Sequence, residues 1–141
     1  MAIPEFGSVP SSAEFEAVLR FAPILQGLPP ERVVRWEGGQ TEQVGTIVMP
    51  FAVYDRVVDD FVQALYDHGF IQNFDWPGWD EAQGYVERSE RLATADLETC
   101  IKLLTTHVRK ERFCEGHLAE MIISGHLLAV LRRLEELRPP A

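Results

Sequence analysis

The hydrophobic pattern of this chain has a helical period over most of its length. It predicts five helical segments, at about residues 11–26, 54–68, 79–87, 94–112 and 117–137. Ser11 or Ser12 can cap the first segment, Thr94 or Asp96 can cap the fourth, and Pro139 stops the last. The expected fold class is therefore mainly α, a compact bundle of four to five helices.

One stretch departs from the helical period. Val34 and Trp36 precede a Gly38-Gly39 pair, and residues 44–49 are short, apolar and rich in β-branched side chains. Two such runs on either side of a glycine turn are typical of paired strands. The sequence therefore predicts one small β-hairpin near residues 32–49.

The last segment is the most apolar element of the chain, around much of its circumference. This is more apolar surface than one core face requires, and it suggests a helix-mediated homodimer. Gly125 lies inside this segment, where glycine costs about 1 kcal/mol relative to alanine. We expect the close approach of another helix to explain that glycine, with ligand contact as the less favoured reason.

Composition limits the classes of protein that fit. The chain has 141 residues, 46% of them hydrophobic, and a formal net charge of −9. This length predicts a single domain over residues 1–141, and residues 1–8 resemble an expression scar or a disordered tail. The negative charge disfavours nucleic-acid binding, and no apolar run has the length of a membrane helix. Cys100 and Cys114 are interpreted as reduced, buried thiols of a cytoplasmic protein.

The spacing of cysteine and histidine residues resembles part of a metal site. Cys114-x-x-His117 resembles half of a zinc site, and His107 could approach His117 across the intervening turn. A fourth ligand is missing, however, and His117 and His126 point to opposite faces if they share one continuous helix. We therefore predict no metal site and no cofactor.

Charged residues gather between the fourth and fifth helical segments. Arg109 and Arg112 share a helix face, and Glu115 and His117 follow within five residues of Arg112. Capping and surface ion pairs are the simplest explanation of this cluster. As functional candidates, Glu115 and His117 could be catalytic, whereas Arg109 and Arg112 could bind a ligand.

Asp75 is the other candidate catalytic residue. In Phe74-Asp75-Trp76-Pro77 its carboxylate could act as a general base, and Trp76 could contact a ligand. Aspartate before proline and glycine more often accepts backbone N–H bonds in a turn.

Several segments together resemble a prokaryotic family called domain of unknown function 6508. They are Phe74-Asp75-Trp76, Leu103–Arg109, Arg112-Phe113-Cys114-Glu115-Gly116-His117-Leu118, and Gly125-His126 followed by Leu131–Leu134. The likeness covers roughly residues 50–137, and the first fifty residues add little to it. The resemblance implies a prokaryotic cytosolic protein, but no catalytic role.

Two main functional hypotheses follow, and the sequence does not decide whether the protein is an enzyme. The favoured one is a non-enzymatic module that binds a protein partner or forms a homodimer, because no recognisable catalytic set is present. The alternative is a small enzyme or anionic-ligand-binding protein whose site joins Asp75 to the Arg112–His117 turn. A third hypothesis, an acidic protein that presents carboxylates in place of nucleic-acid phosphates, rests on the net charge alone.

Overall fold

A computed structural model of the protein describes residues 9–39 and 49–141. These residues form eight α-helices, one 3₁₀ helix and two β-strands. The helices are α1 (Ser12–Leu19), α2 (Ala22–Gly27), α3 (Pro30–Val33), α4 (Arg56–Asp67), α5 (Glu81–Glu87), α6 (Leu97–Lys110), α7 (His117–Ile123) and α8 (His126–Leu137). The strands are β1 (Val34–Glu37) and β2 (Phe51–Tyr54), and the 3₁₀ helix is Ser89–Thr94. The mainly helical class is confirmed, with more and shorter helices than expected.

The first predicted helix is divided in two. Ser11 caps α1 through a capping box with Glu14, as the sequence suggested. The chain then leaves the helix at Arg20 and Phe21, and α2 starts with Pro23 in its first turn. Proline has no N–H for an i→i−4 hydrogen bond, so it fits the first turn of a new helix better than the interior of a long one.

The predicted small sheet is present, but its second strand comes later in the chain. β1 and β2 pair antiparallel, with Val34 opposite Tyr54 and Glu37 opposite Phe51. The strand expected at residues 44–49 lies almost entirely outside the described residues. Tyr54 was expected in the second helix, and this was wrong. Tyr54 ends β2, and Asp55 caps α4 by accepting a hydrogen bond from the Val57 N–H.

The two longest helices in the middle of the chain match their sequence signals. α4 is strongly amphipathic and buries Val58, Phe61 and Leu65 along one face. α6 begins where Asp96 accepts a hydrogen bond from the Thr99 N–H at 2.8 Å, and it is buried over most of its length. α5 occupies much of the segment predicted at residues 79–87.

The last predicted helix breaks at Ser124 and Gly125. Gly125 adopts a left-handed conformation with φ 88° and precedes α8. An added Cβ at Gly125 would meet no atom within 4 Å, so the expected close helix approach was wrong. Glycine is used here because a positive φ is strained for other residues.

The buried side chains form one hydrophobic cluster that α8 crosses. α8 contacts α6, α7, α1, α2 and the 3₁₀ helix, so the apolar faces of this helix have partners within the chain. The largest fully buried side chains are Phe15, Phe61, Phe70, Leu25, Leu65, Leu103, Leu104, Leu127, Leu131 and Leu134. Of the helices in the described ranges, none has the length and apolar character needed to cross a membrane.

Candidate functional site

Three histidines from three helices meet beside the core. His107 lies in the last turn of α6, His117 is the first residue of α7, and His126 is the first residue of α8. Left-handed glycines, Gly116 and Gly125, precede the last two helices and redirect the chain at each start. In one continuous helix His117 and His126 would point to opposite faces. Because the helix breaks at Gly125, both side chains reach His107 instead.

The three imidazoles and one serine form a continuous line of close polar contacts. His117 Nε2 lies 2.9 Å from His107 Nδ1, and His107 Nε2 lies 3.1 Å from His126 Nε2. His126 Nδ1 lies 3.2 Å from the Ser89 hydroxyl oxygen. We call these four residues the histidine line. All three distances lie within or at the edge of the hydrogen-bond range.

Burial keeps the imidazoles of this line neutral. His107 and His126 are 1% and 3% exposed. Burial, reinforced by the neighbouring histidines and Lys110, lowers the pKa of His107 to about 2. Burial and the nearby His117 lower the pKa of His126 to about 4. The pKa of His117 is also lowered, first by burial and then by Lys110, against the opposing effect of Glu120 and Glu111.

His117 is the one of the three imidazoles that is not buried, and it lines a cavity together with His107. The cavity has a volume of about 350 Å³ and is lined by Ala82, Gln83, Val86, Thr106, His107, Lys110, His117, Glu120, Met121 and Ser124. A second cavity of about 390 Å³, on the side of Trp36 and Cys114, shares Lys110, His117 and Glu120 with it. We call the first one the His117 cavity. Within the described part of the chain, His117 Nδ1 has no hydrogen-bond partner, and neither Lys110 nor Glu120 forms an ion pair.

The histidine line differs from a metal site in its geometry. His107 uses one ring nitrogen toward His117 and the other toward His126, so the three rings do not converge on one point. Over residues 9–39 and 49–141, no group of three or more His, Cys, Asp or Glu side chains is arranged to hold a metal ion. The arrangement is suited to passing a proton between nitrogens instead.

The acidic residues of the turn between α6 and α7 bind backbone amides. Glu111 accepts hydrogen bonds from the Gly116 and Leu118 N–H groups, both at 2.8 Å, and from the Tyr54 hydroxyl at 2.7 Å. Burial and this contact with Glu111 raise the pKa of Tyr54. Glu115 accepts a hydrogen bond from the Ala52 N–H at 2.9 Å. These carboxylates therefore hold the turn, the start of α7 and strand β2 together.

Asp75 and Trp76 lie in a separate turn. The Asp75 side chain accepts a hydrogen bond from the Gly78 N–H at 3.3 Å. Asp75 lines a different cavity, with Asn73, Phe74, Gly78, Trp79 and Lys102, and none of these residues lines the His117 cavity. The two turns touch through Trp76 and Phe113, whose ring centroids are 5.9 Å apart. Asp75 and His117 thus do not share a cavity among those described.

Arg109 and Arg112 have different surroundings. Arg109 donates a hydrogen bond to the Asn73 side chain at 2.9 Å and lies over the Tyr66 ring, and its Nε is buried without a partner in the described ranges. Arg112 is exposed to solvent. Neither arginine lines the His117 cavity.

The cysteines also differ from each other. Cys100 is buried, as expected, and burial raises its pKa to about 12. Cys114 is exposed, so the expectation that both thiols are buried was wrong for Cys114. It lies in the loop between α6 and α7.

His117 was proposed from the sequence, and His107 was expected to approach it across the turn, as it does. His126, Ser89 and Lys110 were missed as its neighbours. The signal that could have found His126 was Gly125. A glycine between a serine and a histidine is a usual place for a helix to stop and restart. His126 then becomes the first residue of α8, from which its ring reaches α6.

Comparison with known families supports the resemblance noted above. The model of a family described as "Family of unknown function (DUF6508)" matches residues 10–139. The match extends the resemblance from residues 50–137 to nearly the whole chain, including the first helices, which had been expected to add little. No curated protein and no solved structure matches the chain.

Proposed function

The chain belongs to this family of unknown function, and we propose from its site geometry that it binds a small, weakly acidic molecule in the His117 cavity and exchanges a proton with it. The observation that carries the proposal is the state of His117. One ring nitrogen is held by His107 at 2.9 Å, and the other is left without a described partner beside a cavity of about 350 Å³. A neutral imidazole with one fixed and one open nitrogen is the usual form of a general acid or base.

Charge around the cavity favours an acidic ligand. Lys110 lines the cavity beside His117, and its ammonium group would stabilise the anion that forms when a ligand loses a proton. Glu120 also lines the cavity. Its carboxylate repels an anion and therefore favours a ligand that also carries hydrogen-bond donors. A hydroxy acid of metabolite size has both features.

This function corresponds to the enzyme or anionic-ligand alternative from the sequence, with a different set of residues. His117 is retained as the acid–base group, and Lys110 takes the anion-binding role considered for Arg109 and Arg112. Glu115 and Asp75 already accept backbone hydrogen bonds, which supports a structural role for both. The hypothesis of an interaction module loses one of its supporting arguments, because α8 packs its apolar faces against other helices of the same chain.

A thermal-shift screen with small hydroxy acids, keto acids and phosphates tests the proposal. A ligand at ten times its Kd adds about 1.4 kcal/mol of stability and raises Tm by roughly 5 °C for a domain of this size. His117→Gln and Lys110→Met should abolish the shift. His68→Gln is the matched control, because His68 lines a separate groove between α1, α2 and α4. Shifts that persist in both cavity variants, or the lack of any shift in the wild type, would contradict the proposal.

A homodimer is the second candidate, and exposed aromatic side chains favour it. Phe113 is 76% exposed although its ring stacks near Trp76, and Trp36 is 52% exposed above Gly116. Exposed aromatic clusters often mark contact surfaces, and a two-fold contact between identical chains uses the same patch twice. Sedimentation velocity should then show a dimer that Phe113→Ser converts to monomer. A wild-type protein that stays monomeric at high micromolar concentration would exclude this candidate.

A further inference from the structure

The histidine line runs from the His117 cavity, through the buried side of α6, to Ser89 at the start of the 3₁₀ helix. We propose that it is a proton path, by which a proton taken from a ligand at His117 leaves the protein at Ser89. This inference rests on the proposed function for the acid–base role of His117, but the path can be measured without a ligand. His126 and Ser89 do not line the cavity, so they are relay residues that do not touch the ligand, and His107 joins them to His117.

The direction of one hydrogen bond in this line fixes the direction of the others. A neutral imidazole has one N–H donor and one bare nitrogen acceptor. If His117 Nε2–H donates to His107 Nδ1, then His107 must donate from Nε2 to His126, and His126 must donate from Nδ1 to Ser89. His117 Nδ1 is then bare and acts as a base toward the cavity. If all the bonds reverse, His117 Nδ1 carries a proton and acts as an acid.

The Ser89 hydroxyl can complete the line in either direction. Its oxygen lies 3.2 Å from His126 Nδ1 and 3.5 Å from the Tyr85 carbonyl oxygen. When the hydroxyl donates to the Tyr85 carbonyl, its lone pair accepts the His126 Nδ1–H. When it donates to His126 Nδ1, the whole line runs the other way. Ser89 is half-buried, so its hydroxyl can exchange a proton with solvent, unlike the enclosed ring of His107.

The transfer balances in protons. One proton passes from the ligand to His117 Nδ1, and the proton on His117 Nε2 moves to His107 Nδ1. The proton on His107 Nε2 moves to His126 Nε2, and the proton on His126 Nδ1 moves to the Ser89 oxygen. The original Ser89 proton leaves to water. The line ends neutral, with every bond reversed, and the ligand is left as its conjugate base beside Lys110.

The burial of His107 and His126 explains why a proton path would be needed. His107 is 1% exposed and His126 is 3% exposed, so protons on these rings reach solvent most directly through their hydrogen-bond partners. A ligand that fills the cavity would also cover His117. The line then provides an exit that does not require the ligand to leave, because Ser89 does not line the His117 cavity.

Side-chain ¹⁵N NMR of the ligand-free protein tests the path. We expect scalar couplings across the His107–His117 and His107–His126 contacts. We also expect Ser89→Ala to change the Nδ1–H to Nε2–H tautomer ratio of His117, at the far end of the line. Thr94→Ala is the matched control. It removes a hydroxyl from the same 3₁₀ helix, and among the described residues this hydroxyl donates only to the Arg91 carbonyl.

The outcomes separate this inference from the proposed function. An unchanged His117 tautomer ratio in folded Ser89→Ala would overturn the path, as would missing couplings in the wild type if the variant fails to fold. Intact couplings and a shifted ratio, together with a ligand screen that finds nothing, would support the path and contradict the proposed function. A ligand screen with a positive result, together with an unchanged His117 tautomer ratio, would support the proposed function and overturn the path.

Discussion

Acidification should destabilise this protein through its buried histidines. The pKa of His107 is lowered to about 2 and that of His126 to about 4, chiefly by burial. In the unfolded chain both titrate near the ordinary value of about 6.5. The folded state therefore holds fewer protons than the unfolded state at mildly acidic pH. Stability from these groups is fully present above about pH 6.5 and is lost as the pH falls toward their folded pKa values.

The expected loss is large relative to the stability of a small domain. At about pH 5 both rings are still neutral in the folded protein, roughly 1.5 pH units below the ordinary histidine pKa. Each pH unit changes the free energy of unfolding by about 1.36 kcal/mol per proton. Each ring therefore lowers this free energy by about 2 kcal/mol at pH 5, and the pair lowers it by about 4 kcal/mol. A typical domain has about 5–15 kcal/mol in total.

Urea unfolding followed by tryptophan fluorescence at pH 7.5 and pH 5.0 measures this loss. A double variant, His107→Gln with His126→Gln, should lose about 4 kcal/mol less than the wild type between the two pH values. His68→Gln should behave like the wild type, because His68 lies at the end of α4, outside the histidine line.

Equal pH dependence of the wild type and the double variant would refute the reasoning. If the double variant does not fold, the wild-type imidazole Cε1 protons give the same information by NMR. The signals of His107 and His126 should not titrate above pH 5, and midpoints near pH 6.5 would show that the two rings are not desolvated.

Three further predictions concern the turns around the site. Glu111→Gln weakens the hydrogen bonds to the start of α7 and should lower the free energy of unfolding in urea by about 2 kcal/mol. A decrease below about 0.5 kcal/mol would show that α7 does not depend on these hydrogen bonds. Gly125→Ala should lower the free energy of unfolding by about 1 kcal/mol, because alanine is strained at a positive φ. Gly116→Ala should lower it more, because the added Cβ would also lie 2.7 Å from the Trp36 ring. Equal losses for the two variants would be inconsistent with this clash against Trp36. Cys114 should react with a disulfide reagent in the native protein and Cys100 only after unfolding, so simultaneous reaction of both thiols would contradict the burial described.

The parts of the fold that sequence could predict are those with local signals. α4 and α6 have long apolar stripes and an aspartate at the cap, and both formed near the predicted positions. The two helix breaks were missed for the same reason. At Phe21 the apolar stripe continues through the break, and at Gly125 the stripe resumes in α8 with little change of spacing. Periodicity alone does not distinguish a helix from two helices that share a core.

The candidate site was only partly predictable, because it depends on contacts between distant segments. His117 was selected from its neighbours in the chain, whereas His126 was set aside because one continuous helix would turn it away. Ser89 had no local signal at all, since its role depends on α8 lying beside the 3₁₀ helix. Glu111 accepts hydrogen bonds from backbone N–H groups at the start of α7, which agrees with the capping interpretation of the charged turn. Glu115 instead accepts a hydrogen bond from the Ala52 N–H of β2, a contact between distant segments that capping and ion pairing did not include.

Chemical accessibility of the three histidines tests the central claim most directly. Diethyl pyrocarbonate acylates neutral, accessible imidazole nitrogens, and peptide mass spectrometry reads the modified positions. At about pH 6 and limiting reagent, His117 should be modified in the native protein, whereas His107 and His126 should react only on unfolding, since they are 1% and 3% exposed. Modification of His107 as fast as His117, or a native His117 that does not react, would contradict a buried line of histidines with one end open to a cavity.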